Sequence, residues 1–154
     1  MKKQELNLPA SDWEVEYLKG EGLDELSEFN YIRATEKGTD NGIVIKAFRY
    51  DEEGILMPDE FLKSVFVDEL EELNAQIPEY YQTVLGDVVE ATTFQGRQAA
   101  YFLEQKAGET AAILHAAVMD ETGYCSIIDV KVEDWTRIAN PTEILSYLEG
   151  YMVL

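Results

Sequence analysis

Cysteine is almost absent. The single thiol, Cys125, excludes an intramolecular disulfide. Histidine is equally scarce, with His115 alone. A His-based zinc site needs several nitrogen or sulfur ligands, and one His with one Cys do not define such a site. No apolar run approaches the ~18 residues that a membrane-spanning helix requires. Basic residues are few: 12 Lys+Arg stand against 31 Asp+Glu. The resulting net charge of −19 excludes a nucleic-acid binder and a partner of anionic membranes, since both need concentrated Lys and Arg. No glycine-rich phosphate loop occurs, and no Gly-x-Ser-x-Gly nucleophile elbow. Asp51-Glu52-Glu53-Gly54 lacks the alternating oxygen ligands and the distant closing Glu of a calcium loop.

What is present describes one well-cored domain spanning residues 1–154. A length of 154 residues suits a single domain, and a hydrophobic fraction of 46% with 11% aromatics argues against disorder as the main state. The start, Met1-Lys2-Lys3-Gln4-Glu5, has bases but no apolar stretch behind them, so it does not read as a signal peptide. The expectation is a cytoplasmic chain or the soluble part of an exported lipoprotein.

Trp13, Val15 and Tyr17 alternate with Glu14 and Glu16, the period of a strand with one acidic face. Thr39-Asp40-Asn41-Gly42 predicts a turn on its Asn-Gly pair, with residues ~28–50 as the hairpin around it. Pro58 opens a predicted helix with Asp59 and Glu60 in its first turn. Leu62, Val65, Phe66, Leu70, Leu73 and Ile77 form its apolar stripe, and Pro78 ends it. Four strands follow, at ~84–94, 98–106, 110–119 and 124–133, joined by connections too short for parallel crossovers. Ala111–Met119 is apolar on both parities, which predicts a strand covered on both faces. Asn140-Pro141-Thr142-Glu143 is a complete helix start, and Ile144, Leu145, Leu148 and Tyr151 supply that helix's apolar face.

Several short segments resemble a known group. They are Leu8-Pro9 with Trp13, Pro58-Asp59-Glu60-Phe61-Leu62, Phe94-Gln95-Gly96-Arg97-Gln98-Ala99-Ala100-Tyr101, and Ile144-Leu145 with Leu148. Together they resemble the PsbP-like and DcrB-like domains, whose members are mostly non-enzymatic assembly subunits, adaptors or lipoprotein domains. The resemblance implies an α+β fold, an α/β/α sandwich. It implies an antiparallel sheet of about six or seven strands, a long central helix and a short C-terminal helix. It carries no catalytic residues.

His115 lies among apolar residues and reads first as a satisfied sheet histidine. Only a hairpin could bring it near Cys125, as a nucleophile's base or as a metal co-ligand. No catalytic, cofactor or metal residues are assigned. Residues 51–90 hold twelve acids and one base, Lys63. Asp68, Glu69, Glu71 and Glu72 crowd the predicted helix, either as a solubilising face or as a docking surface for a basic protein partner. The leading expectation is a non-catalytic protein-binding or adaptor module. One alternative is an acidic immunity-type inhibitor of a basic toxin or nuclease. Another is a small-molecule-binding or hydrolytic domain with a sheet–helix cleft.

Overall fold

Alternation in the sequence becomes a broad antiparallel sheet in the computed structural model, which describes residues 4–19, 30–49, 60, 62, 83–85, 89–106, 108–119, 124–138 and 140–154. The strands are β1 (Glu5–Leu6), β2 (Trp13–Lys19), β3 (Asn30–Glu36), β4 (Gly42–Arg49), β5 (Thr83–Leu85), β6 (Glu90–Phe94), β7 (Arg97–Lys106), β8 (Ala112–Met119), β9 (Tyr124–Val132) and β10 (Met152–Val153). The helix α1 spans Pro141–Glu149. The main sheet runs β2-β3-β4-β9-β8-β7-β5, and β6 also pairs with β7. The short strands share that edge: β6 lies along Arg97–Tyr101 and β5 along Glu104–Lys106. β1 and β10 form a separate two-stranded ribbon.

One face of the sheet carries the main core. Ile32, Ala34, Ile43, Ile45, Leu114, Ala116, Val118 and Ile128 cluster there with Leu6 and Met152 of the ribbon and with Leu145 and Leu148 of α1. Gln95 ties these layers together at the β6–β7 turn. It sits at φ 52, beside Gly96 at φ 74, so a two-residue turn joins Phe94 directly to its partner Arg97. Its side-chain amide donates to Glu149 O at 3.0 Å and to Met152 O at 2.8 Å, holding the end of α1 against β10. The opposite face of the central strands is covered as well: Ala100, Phe102, Ala117 and Ile127 are all buried. β8 is thus enclosed on both sides, as its sequence predicts.

Among the described residues, the sandwich built on a long central helix gives way to a structure dominated by antiparallel strands, with α1 the one full α-helix beside a single 3-10 turn at Trp135–Arg137. The physical reason is that, among the described residues, strand positions supply most of the buried side chains, and those that pack on the main core from outside the sheet come chiefly from a nine-residue helix and a two-stranded ribbon. The helix expected from Pro58 to Ile77 lies outside the described residues, except that Glu60 and Leu62 are helical and Leu62 is buried.

Two local expectations shift. The β3–β4 hairpin forms, but its turn is Lys37–Asp40 with Gly38 at φ 80, one step before the Asn-Gly pair. Asn41 instead accepts a bond from Glu133 N at 2.7 Å, bracing β9. The segment ~84–94 divides into β5 and β6. The start of α1 follows its sequence: the Asn140 side chain accepts from Thr142 N at 3.1 Å and Pro141 takes the first helical position. No helix among the described residues is long and apolar enough to cross a membrane.

Candidate functional site

Antiparallel register collects a charged row beneath the sheet's second face. His115 on β8 lies opposite Asp129 on β9 and opposite Phe102 on β7. Glu104 is two residues beyond Phe102, so it reaches His115 diagonally on the same face. The imidazole Nδ1 stands 2.6 Å from Asp129 Oδ1, and Nε2 stands 2.6 Å from Glu104 Oε2. The ring stacks on Phe102 with centroids 4.8 Å apart and planes 21° apart. His115 is buried at 7% exposure, while the side chains of Glu104 and Asp129 keep 20% and 24%.

A neutral imidazole has one N–H and can donate to one carboxylate only. Two carboxylates at short range, one on each nitrogen, call for the doubly protonated cation. Burial by itself pulls the His115 pKa down. The hydrogen bonds and charges of Asp129 and Glu104 outweigh it and raise the pKa from 6.5 to about 9. Near neutral pH the row is therefore a buried imidazolium between two carboxylates. It has no free ring nitrogen to accept a proton. The two acids approach opposite nitrogens, so they do not converge on one point, and no cluster fit for a metal ion occurs among the described residues.

A second polar pair lies at the sheet's far edge. Tyr101 donates to Glu90 Oε2 at 2.6 Å. Burial, then the bond to Glu90, pushes its phenol up to about 12.

The His–Cys pairing does not form. Register places Cys125 opposite Met119, four residues along β8 from His115, or about 13 Å at strand spacing. Asp68, Glu69, Glu71 and Glu72 lie outside the described residues, as does Asp51-Glu52-Glu53-Gly54. Glu104 and Asp129 carry no local sequence pattern that marks them as partners of His115. The signal lies in the β8–β9 register, which sets His115 opposite Asp129 as it sets Met119 opposite Cys125.

Trp13 lies on the face that its alternation with Glu14 and Glu16 predicts. It and Val15 are half-buried against the core, and Tyr17 is 55% exposed. The Tyr17 hydroxyl still accepts from Leu6 N at 3.2 Å, tethering the ribbon to the edge strand.

No protein-family model matches the chain, and no curated protein is significantly similar to it.

Proposed function

We propose that this chain is a non-catalytic protein-binding module that receives a basic protein partner. The observation that carries the reading is the excess of 31 acidic over 12 basic residues. A surface of that charge attracts and orients a basic one, chiefly by speeding encounter. The state of His115 supports the non-catalytic half, because the one histidine is held as a cation between two acids and has no lone pair to offer. An adaptor role of the kind found in PsbP-like and DcrB-like domains fits the same reading. An immunity-type inhibitor of a basic toxin is one specific form of it.

The test measures association rates with a synthetic Lys/Arg-rich peptide across a salt series. The reading expects a steep fall as the Debye length shrinks from about 8 Å at physiological salt to about 3 Å at 1 M. Rates indifferent to salt overturn it. So does esterase, phosphatase or glycosidase activity that His115→Ala abolishes in a folded protein.

A further inference from the structure

An open groove lies where the start of β2, the β3–β4 turn and α1 meet. Its volume is about 470 Å³, and Ser11, Asp12, Trp13, Glu36, Lys37 and Tyr147 line it. Two aromatic rings and two carboxylates therefore border one cavity. Tyr147 is 49% exposed and leans on Tyr151 at a centroid distance of 5.0 Å. Trp13 is half-buried against the core, which fixes the groove's floor. The Asp12 carboxylate has no hydrogen-bond or ion-pair partner among the described residues. Lys37 does not neutralise either acid; its ammonium donates to Ala10 O at 2.9 Å instead. The Tyr147 phenol is held above its ordinary pKa, by burial first, then by Tyr151 and by the negative charges of Asp12 and Glu36.

Aromatic faces attract cations, with tryptophan the strongest, and a guanidinium both stacks on rings and pairs with carboxylates. We infer that the groove between β2 and α1 is a receptor for an arginine side chain projecting from a basic protein partner, held between Trp13 and Tyr147 and paired with Asp12 and Glu36. This rests on the basic-partner reading above and gives it a specific contact. Charge complementarity selects the occupant: an acidic chain presents here two carboxylates that its own lysine does not neutralise, among the described residues Asp12 without a side-chain partner and Glu36 accepting only from the Thr39 hydroxyl at 3.4 Å.

The experiment follows Trp13 fluorescence in a Trp135→Phe background. The probes are a short peptide with two arginines and the same peptide with neutral citrulline in their place. The arginine peptide should change the emission saturably, and the citrulline peptide should not. Tyr147→Ala should weaken binding about two- to fivefold, the size of an exposed cation–π contact. Asp12→Asn combined with Glu36→Gln should weaken it about tenfold or more. Lys37→Ala should tighten it more than Lys131→Ala, which removes an equal charge from the sheet's other face. Circular dichroism melts check that each variant stays folded. Binding that ignores the groove variants while still falling with salt overturns this inference and leaves the basic-partner reading standing. Absence of binding by any basic peptide at low salt overturns both.

Discussion

His115 and Asp129 face one another across β8 and β9 at 2.6 Å, and the same imidazole meets Glu104 from β7 at its other nitrogen. One cation thus stitches three neighbouring strands at the half-buried margin of the second face. Removing it leaves two carboxylates confronting each other with no counter-charge. His115→Ala should therefore destabilise the fold by about 3 kcal/mol or more near neutral pH, the scale of a broken buried ion pair. Adding Glu104→Gln should recover part of the loss. Urea denaturation of the single and double variants checks this, and strictly additive losses contradict the shared network.

The raised pKa fixes the direction of the pH dependence. The folded chain holds the His115 proton up to about pH 9, whereas the unfolded chain releases it near 6.5. The stabilisation from His115 is therefore complete below about 6.5. It declines as pH rises through that window and is lost above about 9. The difference in unfolding free energy between the native chain and His115→Gln should shrink across the same range. A difference that grows with pH contradicts the assignment.

Burial depth separates two aromatic truncations. Phe94 is fully buried, and Phe94→Ala should cost about 3–5 kcal/mol. Trp13 is only half-buried, so Trp13→Ala should cost about half as much. Chemical denaturation of both variants compares them directly. Equal losses would place Trp13 deeper than the groove floor allows.

Much of the sheet was legible in the sequence because the side-chain period of a strand is fixed. The acidic face of Trp13–Lys19, the doubly covered strand at Ala112–Met119 and the capped start of α1 all follow from local patterns. What local patterns do not encode is pairing order. β4 lies beside β9 although more than seventy residues separate them, and β1 finds β10 at the other end of the chain. The charged row was hidden for the same reason. Glu104, His115 and Asp129 each look like an isolated residue until register sets three strands side by side. The Asn-Gly pair is not the turn: Asn41 accepts from Glu133 N, Gly42 already pairs with Thr35, and Gly38 takes the positive φ.

The acidic stretch at Asp68, Glu69, Glu71 and Glu72 carries a kinetic expectation. Reversing all four to Lys should slow association with a basic partner by about tenfold at low salt, and by far less at 1 M, where charges are screened. Stopped-flow kinetics over a salt series reads this. An on-rate unchanged by the reversal at low salt assigns those four residues to solubility alone.

The only histidine is a buried cation held by two acids and not a base awaiting a substrate. Because His115 is the sole histidine, one imidazole-labelled sample gives an unambiguous NMR titration. Both ring nitrogens should be protonated near neutral pH, with a midpoint close to 9. A midpoint at or below 6.5, with one nitrogen bare near neutral pH, would contradict it.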